Sequence, residues 1–410
     1  MKPNLFVLLG APLNTQNISR CGLPQLRSRF NLITLDCREY LGRIIDETEL
    51  TKRINNQLWM KYSEIQLIAN FSEFTKIYSD YKPLYVIDFA GPGEKVRKIQ
   101  RFVQSKNSKF VVHELGKFPQ LPIYKRFKQF SRMSEQTAES RSVKSDELKL
   151  VDHESNKERL FFSKTLKQIF QTRFPTRPDI AVVAGRKAVR YEVKRSRNHI
   201  RSNSFDAHAY KTCENPNRVF SENFTKKEYD VFIDDCISMS PTGKMLGWDM
   251  VSPQTYFHCL NEFFMRRQFA TGREIVICGH PNSSHIPQYQ ENFDGRMYYL
   301  NSTLEIVKSS HTVLAHGSTA ISFAVLASKP IVFLTSSEID KSVMGPNISL
   351  LSKKLGAPLV SIDTEQSEEH STPMLDLGKR HKFRSNFLEF KSSDLTNPWS
   401  RFIECIDSIL

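Results

Sequence analysis

The residues best suited to chemistry form a polar turn late in the chain. Residues 310–334 read SHTVLAHGSTAISFAVLASKPIVFL, which predicts a strand, a turn, a helix and another strand. The turn consists of His316, Gly317, Ser318 and Thr319. Backbone N–H groups, two hydroxyls and the positive end of the helix dipole would converge there, which is an arrangement that binds phosphate. The two hydroxyls would serve equally well as simple helix caps, so both interpretations stay open.

A second polar turn follows the apolar run at residues 274–278. It reads GHPNSS and begins with Gly279, His280 and Pro281. A histidine at the C-terminal tip of a strand can bind an anionic oxygen or move a proton near neutral pH. A lone loop histidine more often only closes a turn. The presence of a second such turn at residues 316–319 favours a functional role for His280.

Three acidic residues are candidates for a general base. Asp234 and Asp235 follow the run YDVFI, where paired carboxyls can orient a hydroxyl or accept its proton. Adjacent loop acids are more often simply solvated. Glu114 follows the run FVVH in the first half. The turns after Asp88 and His113 would face the same cleft and contact a second substrate, although their glycines and proline are also ordinary turn residues.

Composition and motifs exclude several classes of protein. A chain of 410 residues with 40% hydrophobic and 25% charged residues predicts globular domains rather than a disordered chain or a small disulfide-rich module. The seven cysteines are scattered singly without a C-x-x-C pair, so we expect neither a disulfide framework nor a metal site, and a cytoplasmic location. The P-loop, G-x-G-x-x-G, H-E-x-x-H and G-x-S-x-G patterns do not occur, which argues against ATPases, Rossmann dehydrogenases and zinc proteases.

The formal net charge of +14 predicts an anionic partner. Residues 186–201 contribute seven Lys and Arg against one Glu. Such a run is usually a solvated face, and the sharper alternative is contact with a phosphate or a lipid headgroup. Nucleic acid is the less favoured partner, because the sequence shows neither a recognition module nor basic residues interleaved with aromatic ones.

Short runs rich in Val, Ile and Leu alternate with segments of helical period in both halves of the chain, which is typical of parallel sheets covered by helices. The predicted strands are Leu5–Gly10, Leu32–Cys37, Ile65–Asn70, Leu84–Ala90, Phe110–Leu115 and Ile180–Gly185, then Asp230–Asp234, Glu274–Cys278, Met297–Leu300, Thr312–Ala315, Ile331–Thr335 and Leu359–Asp363. Several end in glycine or polar residues, where open α/β sheets bind ligands. We therefore predict two facing Rossmann-like, doubly wound α/β domains.

The predicted domains divide the chain unequally. An N-terminal domain covers residues 1–220, with a mobile surface insertion at about 131–158 because that stretch is polar and lacks aromatic residues. A second domain covers residues 221–395. The polar stretch at 214–227 is the predicted junction. Residues 396–410 have the spacing of an amphipathic helix that packs back on the body of the protein.

The second half resembles the nucleotide-binding half of GT-B glycosyltransferases, in particular enzymes of bacterial capsular polysaccharide, lipopolysaccharide and other surface-carbohydrate biosynthesis. The resemblance covers residues 198–338, through NHIRSNSFDAHAY, VFIDD, ICGHPNSS and AHGSTAISFAVLASKPIVFL. The GHP sequence is similar to the His-Pro motif of transferases that use CMP-activated sialic acid or Kdo. It implies that His280 contacts the nucleotide phosphate, together with the hydroxyls of Ser318 and Thr319.

The acidic pair also resembles a family motif. Asp234 and Asp235 look like part of the acidic motif of bacterial sialyltransferases, whose first acid is the base, although Cys236 stands where that motif has glycine. The first half resembles the family only in architecture. The catalytic role of the pair is thus an expectation that follows from the resemblance.

The resemblance implies that residues 1–220 are the acceptor domain and residues 221–395 the nucleotide-sugar-binding domain. It also implies a metal-independent displacement in which an acceptor hydroxyl attacks the anomeric carbon of a nucleotide sugar. That donor is a substrate, and no cofactor is expected. The implied partners are the donor, a glycan or lipid-linked acceptor, and an anionic surface at the inner face of the cytoplasmic membrane. Two other classes stay open: a nucleotide-sugar epimerase or hydrolase on the same fold, and a non-catalytic protein of polysaccharide assembly or nucleic-acid binding.

Overall fold

The computed structural model describes residues 2–43 except 12 and 14, 56–119, 177–213, 228–239, 251–364 except 343, and 373–408. The predicted insertion at 131–158 and the predicted junction at 214–227, with the domain boundary near residue 220, lie outside these residues.

The first half of the chain forms a seven-stranded parallel sheet. Its strands are β1 (Asn4–Leu9), β2 (Asn31–Asp36), β3 (Glu64–Leu67), β4 (Tyr85–Phe89), β5 (Lys109–Glu114), β6 (Ile180–Ala184) and β7 (Asn198–Ser202). They lie in the order β3-β2-β1-β4-β5-β6-β7. The described helices of this half are α1 (Thr15–Arg20), α2 (Leu23–Arg29), α3 (Arg38–Leu41), α4 (Asn56–Met60), α5 (Phe71–Tyr81), α6 (Glu94–Ser105), α7 (Tyr191–Lys194) and α8 (Phe205–Thr212).

The second half forms a six-stranded parallel sheet. Its strands are β8 (Tyr229–Ile233), β9 (Glu274–Gly279), β10 (Tyr298–Leu300), β11 (Val313–Ala315), β12 (Ile331–Thr335) and β13 (Leu359–Ser361), in the order β10-β9-β8-β11-β12-β13. The described helices here are α9 (Pro253–Thr271), α10 (Thr303–Ser309), α11 (Ile321–Leu326), α12 (Ser337–Lys341), α13 (Gly345–Leu355), α14 (Leu377–Phe387) and α15 (Pro398–Ile406). The fold is therefore the predicted one, with two Rossmann-like α/β domains.

The strands read as continuous apolar runs because helices cover both faces of each sheet. In β1, β6 and β12 nearly every residue is buried. The twelve predicted strands are present, but β7 was not predicted as a strand. It is the edge strand of the first sheet, and within it only Ile200 is an apolar residue. Its hydrophobic signal is therefore too weak to distinguish it from the surrounding basic run.

The last helix packs on the first domain. Trp399 in α15 is fully buried, and its indole N–H donates to the carbonyl oxygen of Arg20 at 2.9 Å. Gly22 lies under the indole with a φ of 65°, and a Cβ atom there would overlap the ring. Helix α15 thus joins the end of the chain to α1 and α2.

The described residues contain no membrane-spanning helix, no cluster that could hold a metal ion and no disulfide bond. No described helix has both the length and the hydrophobicity needed to cross a membrane. No group of three or more His, Cys, Asp or Glu residues in the described part of the chain is arranged to hold a metal ion. All seven cysteines are free.

Candidate functional site

In each sheet the strand order reverses at one point, between β1 and β4 in the first sheet and between β8 and β11 in the second. Open α/β sheets bind ligands at the carboxyl ends of the strands beside such a switch point. In the second sheet the turn after β8 carries Asp234 and Asp235, the turn after β9 carries His280, and the turn after β11 carries residues 316–319. The structure thus brings the predicted second-half residues to one edge of one sheet.

Asp235 is hydrogen-bonded to the turn that was predicted to bind phosphate. The backbone N–H of Gly317 donates to Asp235 Oδ2 at 2.8 Å, and the Ser318 hydroxyl also hydrogen-bonds to this carboxyl. Burial raises the pKa of Asp235 to about 6 even though both bonds favour the charged form. Two of the predicted phosphate donors therefore already have a carboxylate as partner. The Thr319 side chain is exposed.

The helix after this turn begins later than predicted. Helix α11 starts at Ile321, and the backbone from Ser318 onward first forms a tight turn in which the N–H of Ile321 donates to the Ser318 carbonyl oxygen. The Ser318 hydroxyl accepts from the N–H of Ala320 at 3.3 Å. Ser318 therefore has the local turn-closing role that the sequence left open, in addition to its contact with Asp235.

His280 presents a free N–H group at this edge. Its Nδ1 accepts from the N–H of Asn282 at 3.1 Å, which places the proton on Nε2. Among the described residues Nε2 has no recorded hydrogen-bond partner, and the side chain is only partly buried. Burial, and next the charge of Arg20, lower the pKa of His280, so the ring is neutral at pH 7. Pro281 begins the short 3-10 helix at residues 281–285 that fixes this orientation.

Asp234 is enclosed beneath the site and does not reach solvent, with an exposed fraction of 1%. Its Oδ1 accepts from the N–H of Cys236 at 2.9 Å and from the Tyr289 hydroxyl at 3.2 Å. Burial raises the pKa of Asp234 to about 7, and the neighbouring Asp235 contributes to the increase. Of the two predicted acids, Asp235 is therefore the one placed to meet a ligand.

The cysteine that interrupts the acidic motif has the backbone conformation of a glycine. Cys236 has a φ of 53°, in the left-handed region that glycine adopts at no steric cost. Its N–H donates to the Asp234 carboxyl. The departure from the family pattern therefore concerns the side chain and leaves the turn geometry unchanged.

Two predicted site residues have structural roles instead. The His316 ring is fully buried, with Nδ1 donating to the Leu334 carbonyl oxygen at 2.8 Å and Nε2 accepting from the Tyr256 hydroxyl at 2.9 Å. Burial lowers its pKa to about 4. Because both nitrogens are used inside the core, the His316 ring does not face the predicted site, and only the backbone of this residue belongs to the turn.

Glu114 is the second predicted site residue that has a structural role. It is buried, and it accepts hydrogen bonds from the backbone N–H groups of Val189 and Arg190, each at 2.6 Å. Arg190 Nε also donates to it at 3.1 Å. The carboxylate thus anchors the segment between β6 and α7, and we do not retain it as a base. The same contacts show that Arg190 of the basic run turns inward, so that run is not one solvated face.

A cavity of about 300 Å³ lies at the carboxyl ends of β1, β4 and β5 in the first domain. The charged and histidine side chains in its wall are Arg20, Asp88, His113, Lys117 and Arg190, and the aromatic ones are Phe89 and Phe205. Asp88 is 7% exposed, accepts from the N–H of Gly91 at 3.0 Å, and has a pKa raised by burial to about 6. The sequence signal for Asp88 is an acid at the end of an apolar strand, as it is for Asp234 and Asp235.

The two sites are close to one another. Arg20 lines the first-domain cavity, and its charge lowers the pKa of His113 in the first domain and of His280 in the second. Near it the Ser322 hydroxyl of α11 donates to Asp206 of α8, which links the two halves directly. The charge of Arg20 therefore acts on a histidine at the carboxyl edge of each sheet.

No protein-family model and no curated protein matches this sequence. Among solved structures, the chain is similar to a putative UDP-N-acetylglucosamine 2-epimerase from Listeria monocytogenes, with a TM-score of 0.49 and 10% identity over 96% of this chain and 94% of that one. Anabaena Alr3699/HepE, solved in complex with UDP, has a TM-score of 0.48 and 12% identity over 100% of both chains. Acinetobacter baumannii MurG has a TM-score of 0.47 and 8% identity over 100% of both. Likenesses this distant carry no argument about activity.

Proposed function

We propose that this protein is a glycosyltransferase that moves a sugar from a nucleotide donor to a hydroxyl group of an acceptor. The observation that carries the proposal is the opposition of two sites. One combines the free Nε2–H of His280 with the hydroxyls of Ser318 and Thr319. The other is a cavity containing the buried Asp88, and the charge of Arg20 in its wall acts on His280 of the first site.

The second-domain site is suited to a leaving phosphate. The neutral His280 ring would donate from Nε2, and the hydroxyl of Thr319 would add a second donor. Preorganised donors of this kind stabilise the charge that develops on the phosphate as the glycosidic bond breaks. We infer that Asp235 holds the donor groups of Gly317 and Ser318 while the site is empty and gives them up, or accepts a proton, when a phosphate arrives.

The base is assigned to Asp88. For a displacement from the face opposite the phosphate, the base must lie across the cleft from the phosphate site, and Asp235 is on the phosphate side. The acceptor oxygen forms the new bond to the anomeric carbon, the phosphate leaves with the electron pair of the old bond, and the acceptor proton passes to the Asp88 carboxylate. A pKa of about 6 leaves this carboxylate ionised at neutral pH.

Several finer statements belong to the same proposal. A CMP-activated acidic sugar as donor is supported by the His280–Pro281 motif, and a capsular or lipopolysaccharide acceptor is supported by the resemblance over residues 198–338. A cytoplasmic enzyme at the inner face of the membrane is supported by the net charge of +14.

Binding of nucleotides tests the phosphate site directly. We expect one of CMP, UDP and GDP to bind. At a nucleotide concentration about one hundred times its dissociation constant, binding should raise the free energy of unfolding by about 2.7 kcal/mol, which thermal unfolding measures. The His280→Ala and Thr319→Ala variants should each lower that affinity by about tenfold, because a charge-assisted hydrogen bond is lost. His258→Ala, an exposed histidine of α9, is the matched control.

Wild-type affinity in both variants would refute the phosphate site. Incubation of the corresponding nucleotide sugar without acceptor separates the remaining enzyme classes. Complete release or epimerisation of the sugar under those conditions would favour the hydrolase or epimerase over the transferase.

The charge of Asp235 predicts a pH-dependent affinity. In Asp235→Asn the amide oxygen still accepts from Gly317, while the repulsion between carboxylate and phosphate is removed. We expect the variant to bind the nucleotide about tenfold more tightly than wild type at about pH 8, since like charges about 4 Å apart cost about 1 to 4 kcal/mol. The advantage should vanish at about pH 5, where wild-type Asp235, with a pKa of about 6, is already protonated.

Titration calorimetry of both proteins at the two pH values measures this difference. An affinity ratio that does not change with pH would show that Asp235 is remote from the phosphate.

A further inference from the structure

We propose that the first-domain cavity binds an anionic group of the acceptor, a sugar carboxylate or a sugar phosphate, between Arg20 and Lys117. The inference rests on the proposed function, because it assigns the cavity to the acceptor. It adds a substrate class, an acidic or phosphorylated glycan, to the reaction.

The first observation is a pair of cations with no direct hydrogen bond or ion pair among the described residues. Arg20 and Lys117 both line the cavity and both have exposed side chains. Within the described ranges neither side chain has a recorded hydrogen bond or ion pair. Arg190 in the same wall differs, because it is bound to Glu114 and to the His113 carbonyl oxygen. Arg190 thus has a structural partner, whereas Arg20 and Lys117 are available for a ligand.

The second observation is the excess of positive charge around the cavity. Partial desolvation of the Lys117 ammonium group at the cavity wall, and next the charge of Arg190, lower the pKa of Lys117, and the carboxylates of Glu114, Glu192 and Asp88 offset part of this decrease. Arg190 and Arg20 similarly act on His113, whose pKa lies well below its ordinary value chiefly through burial. Among the described residues of the wall, Asp88 is the one acid, against three basic residues. An anion bound here would relieve repulsion among the cations, and a neutral sugar would not.

The third observation is an unsatisfied polar atom. His113 Nδ1 is buried and has no hydrogen-bond partner. Its ring packs on Phe89 at a centroid distance of 4.3 Å and on Trp399 at 5.8 Å, so it is held in place by aromatic contacts. A sugar in the cavity offers hydroxyl groups to this nitrogen while its anionic group meets the cations.

The position of Arg20 orients the ligand. Its charge acts on His280 of the phosphate site as well as on His113. An acceptor held by Arg20 therefore has Asp88 in the same cavity wall to accept the proton of its hydroxyl.

The test compares three sugars without nucleotide. Glucuronic acid, glucose 6-phosphate and glucose are presented at equal millimolar concentration, and binding is measured by saturation-transfer NMR. We expect at least one charged sugar to bind about tenfold more tightly than glucose, which reports whether carboxylate or phosphate is preferred. The double variant Arg20→Gln/Lys117→Gln should lose about tenfold or more of that affinity. The control Lys353→Gln/Lys354→Gln removes the same charge from exposed positions in α13.

Glucose binding as tightly as the charged sugars, failure of both charged sugars to bind, or equal losses in the two double variants would overturn the proposal. Nucleotide affinity is measured on the same proteins. Loss of nucleotide rather than sugar in Arg20→Gln/Lys117→Gln would assign the cations to the donor and also overturn it. If charged sugars bind through Arg20 and Lys117 but no nucleotide binds, the anion site stands and the transferase proposal fails. Circular dichroism checks that each variant is folded.

Discussion

Asparagine in place of Asp88 is expected to reduce the rate of sugar transfer by about 10²- to 10⁴-fold, which is the usual contribution of a positioned general base. The amide oxygen can still accept from the N–H of Gly91, so the turn after β4 should persist. Nucleotide affinity should not change, because Asp88 belongs to the first-domain cavity and the phosphate site to the second sheet. The expected signature is therefore a fall in kcat at constant nucleotide affinity.

The measurement uses the sugar of whichever nucleotide binds, with release of the nucleotide as the readout. Asp80→Asn, an exposed acid of α5, is the matched control. Wild-type transfer should fall as the pH drops below about 6, because Asp88 must be ionised to accept the proton. Full transfer by Asp88→Asn, combined with loss of transfer in Asp235→Asn, would move the base to the second domain.

The largest expected effect on stability lies at the opposite end of the second sheet. Asp230 near the start of β8 accepts from Arg267 Nε at 2.7 Å and from Arg273 Nε at 3.0 Å, and the Arg267 side chain is fully buried. Asp230→Asn would leave a buried positive charge without its counterion. Breaking a buried pair in this way typically costs about 3 to 5 kcal/mol of unfolding free energy.

Urea unfolding of Asp230→Asn measures this cost. Asp294→Asn provides the comparison, because its ion pair with Arg296 spans 3.8 Å and the aspartate is 65% exposed. Such a surface pair contributes about 1 kcal/mol or less. Equal unfolding free energies for the two variants would contradict the assigned role of Asp230. Nucleotide affinity should be unchanged in both, since neither aspartate lies at the carboxyl edge of the sheet.

The fold was largely predictable because parallel strands covered on both faces must be apolar along their whole length. Runs such as residues 180–184 and 331–335 could be recognised for this reason. Strand β7 escaped because an edge strand with one apolar residue has no such signal. The last helix could be predicted from its amphipathic spacing, whereas its contact with Arg20 depends on residues nearly four hundred positions apart.

The location of the site could be predicted from the sequence, but the roles of its individual residues could be predicted only in part. Asp235, His280, Ser318 and Thr319 meet at one edge because the carboxyl ends of parallel strands in one sheet lie on the same side. The sequence could not show that the His316 ring turns into the core, because that depends on Tyr256 and Leu334.

By itself, the sequence determined the two-sheet architecture, the absence of common nucleotide and metal motifs, and the turns that carry the polar residues. Those properties are local, since they depend on hydrophobic period and on residue types at strand ends. The tertiary structure decided which polar groups are free and which are already paired. It joined Asp235 to Gly317, enclosed Asp234 and Glu114, and left Arg20 and Lys117 without partners in the described cavity wall. Pairing and burial depend on segments distant in the chain, so only the folded arrangement could separate a candidate ligand contact from a structural one.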